Sequence, residues 1–348
     1  MQTISIQFTK AATQFCFDAS VEALPELLSG SRAIYVTDTN VYAAHTAVFA
    51  GKEVIILPAG EAAKSLTVLE HAVNELLAFN ADRNCFLVGI GGGVVTDFTG
   101  FLAGIYKRGI RFGFVPTTIL AMVDAAIGGK NGLDIGMAKN MIGLTLQPEF
   151  LLYDYQLLGT LPQEEWINGF AEIIKHAAIY DADLFAALEA HTLADYQQQH
   201  ILLAELVQRN ALLKARVVQQ DEFERGERKK LNFGHTLAHA IENPYQLAHG
   251  AAVSIGMCFA AQLSAQLTGF TEADRLQKLI VQYHLPDHLA FDKEATLALM
   301  QADKKIAGSG IDYILLQSIG AAEIRTISFD IIASAMHQTA HSPNSEQQ

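Results

Sequence analysis

The sequence predicts an α/β domain with a largely parallel sheet over about its first 160 residues, followed by a mainly α-helical domain. Three observations carry this. Short apolar runs recur in the first part, each stopping at a turn or polar residue. Helix-spaced apolar residues separate two of those runs. After Leu161–Pro162 the helical spacing becomes continuous, and strand signals are few until Tyr313–Leu316.

In order, ISIQF (4–8) alternates apolar and polar residues, as a half-covered strand does. AIYVTD (33–38), EVIILP (53–58) and CFLVGI (85–90) are unbroken apolar runs, which suit strands covered on both faces. Between the last two lies Ser65–Phe79, with Leu69, Ala72, Val73, Leu76 and Leu77 at helical spacing and Ser65 as N-cap. Strand, helix, strand implies a right-handed crossover in a parallel sheet. Ligands of such sheets bind beyond the carboxyl ends of the strands. Asp38 and Asn40 follow one run, Gly60, Glu61 and Lys64 another, and Gly91–Asp97 a third. In the second part, Gln163–Ile179 and Ile201–Val218 read as long helices and Ile311–Ile327 as a hairpin. The expected domains are therefore 1–160 and 161–340, with an unstructured tail over 341–348.

Half of the residues are hydrophobic and 18% are charged, which is ample for a large core. No cleavable leader is expected, and with no run of about 18 uncharged apolar residues no membrane span is expected either. Cys16, Cys85 and Cys258 are far apart and form no paired or thiolate-metal pattern, which fits a cytoplasmic protein. A net charge of −13 argues against nucleic acid or an anionic membrane as partner. Phe98–Pro148 is the exception: Lys107, Arg108, Arg111, Lys130 and Lys139 stand against only Asp124 and Asp134. Scattered surface lysines could give that count, but four of the five lie in or beside Gly-rich turns, which points to an anion pocket.

GIGGGVVTD (89–97) follows a strand and opens a helix, where glycines let backbone N–H groups approach a pyrophosphate. The dinucleotide fingerprint fails, because Val94 stands where its third glycine belongs. Asp38 and Glu61 are candidates for ribose hydroxyls, or equally for turn and helix caps. Farther on, Glu172, Lys175 and His176 share one helical face, His235 and His239 lie one turn apart, and His249 follows. Two or three imidazoles with a carboxylate make a plausible open zinc site. HTLAH is not a metalloprotease motif, since Thr236 occupies the place of the required Glu. Lys214, Glu224, Arg228 and Asn232 cluster just before His235, which suggests a substrate with more than one anionic group.

Together and in this order, TDTN, PAGEAAKS, GGGVVTDFTGF, YKRG, VPTTILAMVD, GGK, KNMIG, GFAEIIKHA, LNFGHTLAHAIE and HGAAVSIGM resemble the 3-dehydroquinate synthase family of sugar phosphate cyclases. The resemblance runs from Thr37 to Met257. It implies a Rossmann-like N-terminal domain with a helical C-terminal one, a homodimer, and a lyase of the shikimate pathway that uses NAD and zinc or cobalt. It implies NAD contacts from Asp38, Asn40, Glu61, Lys64, Gly92, Gly93, Val94, Asp97, Thr117, Thr118, Lys139 and Thr160. The implied metal ligands are Glu172, His235 and His249. Substrate contacts would come from Asp124, Lys130, Asn140, Lys175, Lys214, Arg228, Asn232 and His239. Arg108 would reach the phosphate in the neighbouring subunit, and Lys304 or Lys305 would add a contact. Catalytic roles fall to Lys130, Glu224, Arg228 and His239, the last as a hydroxyl proton relay.

Five departures bear on the sugar. Ala125 and Ala126 remove hydroxyls, Asp134 adds an acid near the anion site, and Ala251 replaces a frequent Glu; Thr96 also replaces a Gly. Two other enzymes thus stay open: a sister cyclase of a sedoheptulose 7-phosphate-like sugar, and a metal- and NAD-dependent polyol dehydrogenase. A degenerate, non-enzymatic subunit would have lost ligands, and none is lost.

Overall fold

The structure, a computed structural model, describes residues 1–136, 138–303 and 310–338, with the side chains of 138–140, 302 and 303 left out. Its contacts group into two compact units, Met1–Gly169 with Ala194–Arg228, and Phe170–Leu193 with Lys229–Gln348. This differs from a single boundary near Thr160. The helix over 200–220 joins the first unit because it packs on the turn at Ala121–Ala125 and on the first strand.

The first unit contains β1 (Gln2–Gln7), β2 (Ala12–Phe17), β3 (Ala33–Asp38), β4 (Val54–Leu57), β5 (Phe86–Gly91), β6 (Arg111–Pro116), β7 (Lys130–Ile135), β8 (Ala138–Thr145) and β9 (Phe150–Leu152). Seven of them form one sheet in the order β1-β2-β9-β6-β5-β3-β4. The β1–β2 pair is antiparallel and the other pairs are parallel. The helices named so far along the chain are α1 (Leu24–Leu28), α2 (Thr39–Ala44), α3 (Thr46–Phe49), α4 (Leu66–Ala78) and α5 (Gly93–Ile105). β5 is buried along its whole length, as its unbroken apolar run requires of a central strand. Ser65 caps α4 by accepting the Val68 N–H. From β3 the chain places β4 on one side and β5 on the other. The carboxyl ends of β3 and β5 therefore flank a topological switch point, where ligands of such sheets bind.

Strand β6 and the β7–β8 hairpin were not foreseen, and glycine explains both. In β6, Gly113 breaks the apolar run because a Cβ there would lie 2.5 Å from the Phe150 ring. In α5, a Cβ at Gly100 would meet the Asn131 amide of β7 at 1.9 Å, and one at Gly104 would meet Leu144 of β8 at 2.4 Å. One glycine of GGGVVTDFTGF, Gly100, thus serves hairpin packing and not a ligand, as does Gly104 just beyond it.

Along the rest of the chain follow α6 (Gln163–Tyr180), α7 (Ala182–Ala190), α8 (Leu193–Gln198), α9 (His200–Gln220), α10 (His235–Glu242), α11 (His249–Leu267), α12 (Ala273–Gln282), α13 (Lys293–Asp303) and α14 (Phe329–Gln338). The expected hairpin is β10 (Gly310–Ser318) paired antiparallel with β11 (Ala321–Ser328). Among the described residues, α11 is the one helix long and apolar enough by mean hydropathy to cross a membrane, although Ser254, Gln262, Ser264 and Gln266 interrupt its apolar run. It is a core helix of the second unit, with 72% of that window buried. A Cβ at Gly256 would lie 2.0 Å from the Gly234 carbonyl, so the start of α10 and the middle of α11 touch backbone to backbone. The tail 341–348 lies outside the described residues.

Candidate active site

At the switch point, α5 begins at Gly92 with no side-chain cap, so its first N–H groups point outward from a glycine turn. A Cβ at Gly92 would meet the Thr118 side chain at 3.1 Å, and one at Gly93 the Ala125 Cβ at 3.0 Å. Val94 follows, half-buried. Thr117 donates its N–H to the Gly91 carbonyl, and its own buried Oγ1 has no hydrogen-bond partner. Asp38 caps α2, its Oδ1 accepting from Asn40 and Val41 at 2.9 Å, so one of its oxygens takes the structural role. Glu61 is exposed after the left-handed Gly60. Thr160 Oγ1 lies 2.8 Å from His45 Nε2.

Lys64 is 6% exposed and donates to Asp97 Oδ2 at 2.9 Å. Burial pushes the Asp97 carboxyl up to about 6, against the pull of Lys64. Burial alone would lower the Lys64 ammonium, yet Asp97, with Glu61 and Asp134 nearby, raises it. Asp134 also donates its N–H to the Lys64 carbonyl, so this departure places a carboxylate beside the Lys64–Asp97 pair.

A second group in the first unit handles charge. Asp124 sits in a π-helical turn, Ala121–Ala125, and pairs with the buried Lys214 at 2.7 Å. Lys130, on the exposed start of β7, pairs with Glu224, a left-handed residue at φ 57°. Arg228 is 3% exposed, and it donates to the carbonyls of Glu222 at 2.6 Å and Gly128 at 3.1 Å. Carbonyls hold the fork in place without neutralising it, and only two of its five donors are used this way. Burial lowers the Arg228 pKa. Asp221 shapes the loop before it, accepting the N–H groups of Arg225, Gly226 and Arg228. Arg108 is exposed beside Lys107, and both are left-handed, at φ 68° and 48°.

In the second unit, Glu172, Lys175 and His176 of α6 are all buried. Such burial demands partners. Lys175 Nζ donates to Glu172 Oε2, while Glu172 Oε1 faces His235 Nε2 at 3.6 Å and His249 Nε2 at 3.4 Å. The ligand atoms of Glu172, His235 and His249 all lie within 4.8 Å of one another. Each ring nitrogen on the far side has an acceptor: His235 Nδ1 lies 3.2 Å from the Phe233 carbonyl, and His249 Nδ1 lies 3.3 Å from Glu242 Oε2. The inward nitrogens are thereby left to bind an ion. Burial and then the Lys175 cation push His235 far below its usual pKa. Burial would also lower His249, but hydrogen bonds to Glu172 and Glu242 raise it to about 9. Two nitrogens and one carboxylate oxygen, converging and largely dry, fit a catalytic zinc or cobalt ion. His239 is exposed on the same face of α10, its ring 5.6 Å from that of His235. Asn232 ends the 3-10 turn before α10. Lys229 pairs with Asp312 at 2.9 Å.

The side chains of Lys139 and Asn140, and the residues Lys304 and Lys305, lie outside the described ones. Sequence reasoning missed Gly128, Asp221, Glu222 and Glu242. Glu242 had a signal, since it falls three residues after His239 on the same helical face.

The 3-dehydroquinate synthase N-terminal family model matches residues 54–168, and the 3-dehydroquinate synthase C-terminal model matches residues 169–306. The chain is 39% identical over 333 residues to 3-dehydroquinate synthase of Sulfurovum sp. (strain NBC37-1), covering 92% of this chain and 93% of the relative. To that of Dehalococcoides mccartyi (strain CBDB1) it is 42% identical over 274 residues, 77% of this chain and 76% of the relative. Among solved structures, ValA, the 2-epi-5-epi-valiolone synthase from Streptomyces hygroscopicus subsp. jinggangensis 5008 with NAD+ and Zn2+ bound, superposes with a TM-score of 0.85 at 26% identity, covering 98% of this chain and 99% of that one. A 2-deoxy-scyllo-inosose synthase complexed with carbaglucose-6-phosphate, NAD+ and Co2+ gives a TM-score of 0.83 at 21% identity, covering 97% and 100%, which speaks for the fold.

Proposed function

The chain belongs to the 3-dehydroquinate synthase family, and from that premise we propose how its own residues divide the work. The enzyme converts 3-deoxy-D-arabino-heptulosonate 7-phosphate to 3-dehydroquinate and phosphate, by transient oxidation, phosphate elimination, reduction and an intramolecular aldol closure. When bound, NAD takes up and returns a hydride, and a divalent ion polarises the reacting hydroxyl. Because the cofactor is restored, no net redox change occurs.

The observation that carries this reading is the convergence of Glu172, His235 and His249 within 4.8 Å. These three hold the ion. Lys175 fixes the Glu172 carboxylate by taking its other oxygen. Gly92, Gly93, Val94, Thr117 and Thr118 cradle the cofactor pyrophosphate and its surroundings, with Asp38, Asn40, Glu61, Lys64, Asp97, Lys139 and Thr160 along its length. Lys130, Lys214, Arg228, Asn232 and Asn140 hold phosphate and carboxylate, with Asp124 orienting Lys214. Lys130 and Glu224 pair until an anion draws the lysine away, which frees Glu224 for proton handling. His239 relays the proton of the reacting hydroxyl. A fixed cationic fork such as Arg228 stabilises departing phosphate charge without reorganisation.

Zinc and cobalt both suit this donor set. Homodimerisation belongs to the same reading, with the exposed Arg108 reaching the partner's substrate phosphate. The three buried thiols fit a reducing cytosol. The test is metal analysis and a phosphate-release assay on one purified sample. The expected result is a bound divalent ion and phosphate released from the heptulosonate phosphate, with no lasting rise in the NADH absorption band. Turnover of sedoheptulose 7-phosphate alone would overturn it in favour of the sister cyclase, and steady NADH accumulation in favour of a dehydrogenase.

A further inference from the structure

Helix α10 presents His235, His239 and Glu242 at i, i+4 and i+7, a single face over two turns. The first of these is a candidate ligand. The last touches another one, because Glu242 Oε2 lies 3.3 Å from Nδ1 of His249, which opens α11. The Glu242 side chain is only 11% exposed. Its backbone is anchored as well, for its carbonyl accepts the Leu247 N–H at 2.9 Å and closes the turn between the two helices.

An imidazole can offer a lone pair on one nitrogen only if its proton stays on the other. We propose that Glu242 is a positioning residue for the divalent ion, accepting the His249 Nδ1–H so that Nε2 is held, deprotonated, toward Glu172. This inference rests on the metal-centre reading of Glu172, His235 and His249. The two histidines are supported differently. His235 has the neutral Phe233 carbonyl at 3.2 Å, whereas His249 has a carboxylate. A carboxylate makes the imidazole the more basic ligand and adds a second negative charge close to the ion, offsetting the buried Lys175 cation. If Glu242 merely tied α10 to α11, its removal would lower stability and leave the metal affinity of the folded molecules unchanged.

The test measures zinc and cobalt affinity of the full chain by competition with a chromophoric chelator, together with the visible spectrum of the cobalt form. Glu242→Ala and Glu242→Met remove the acceptor, and Met keeps the buried volume should Ala fail to fold. Both are expected to bind zinc about 10–100-fold more weakly and to shift the cobalt bands. Glu242→Gln, whose amide oxygen accepts the same N–H but lacks the charge, is expected to fall between these variants and the unaltered chain. Wild-type affinity and spectrum in the acceptor-free variants would overturn the inference, and so would a Gln variant as weak as they are. Failure of the unaltered chain to take up either ion would instead overturn the metal-centre reading itself.

Discussion

Arg228 donates from Nη2 to the carbonyl of Gly128 at 3.1 Å, and Gly128 has room for it only because it lacks a side chain. A Cβ there would sit 2.6 Å from that same Nη2, and the backbone is left-handed at φ 105°. Gly128→Ala should therefore displace the guanidinium and strain the turn, together worth about 1–3 kcal/mol. The expected outcome is a rise of about 10–100-fold in KM for the phosphorylated substrate, read from phosphate release. An unchanged KM would remove Arg228 from the anion site.

Lys64 and Asp97 form a mostly buried pair, and breaking such a pair leaves an uncompensated charge. Lys64→Met and Asp97→Asn should each destabilise the protein, and the double variant should recover part of the loss. Their coupling is expected at about 1–3 kcal/mol, measured as urea midpoints in a double-mutant cycle. Strict additivity would mean that the pair contributes nothing as a pair. Each single variant should also weaken NAD binding, checked by titration of cofactor fluorescence.

Much of this arrangement was legible in the sequence, and the limits have physical reasons. Unbroken apolar runs located β3, β4 and β5, since strands covered on both faces cannot alternate. One-turn pairs in apolar surroundings, Glu172 with His176 and His235 with His239, suggested a metal site, and the family resemblance implied Glu172, His235 and His249 as its ligands. Strand β6 stayed hidden behind Gly113, whose absent side chain makes space for Phe150. The supports were least visible. Asp221 acts through backbone N–H groups, and Gly128 acts through an absence, so neither leaves a pattern in composition or periodicity.

Asp221 provides the pH-dependent prediction. Partial burial would raise its pKa, but the N–H groups of Arg225, Gly226 and Arg228 outweigh this and hold it below the ordinary carboxylate range. A depressed folded-state pKa means that the native protein favours the ionised form. The stabilisation is thus complete above the unfolded carboxylate pKa and fades as pH falls through the folded one. Asp221→Ala should lose about 1 kcal/mol at neutral pH, the scale of a lost capping carboxylate. Denaturation series should show this gap constant from neutral to mildly acidic pH and closing only at stronger acidity. A gap that widens on acidification would contradict the sign.

His235 and His239 share one face of α10 with their rings 5.6 Å apart, yet they should fail in different ways when removed. His235 Nε2 faces Glu172 Oε1 at 3.6 Å within the converging set, so His235→Ala takes away one of the three proposed ligands. Metal affinity should fall by more than about 100-fold, a larger loss than a supporting residue gives. Activity should go with it. His239 is outside that set and exposed. His239→Ala should therefore keep its metal while kcat drops by about 10²–10⁴-fold, the range for a lost proton-transfer group. Metal content measured beside kcat on each variant separates the two roles. A His235 variant with undiminished metal would break the ligand assignment, and a metal-depleted His239 variant would make that residue a ligand and not a relay.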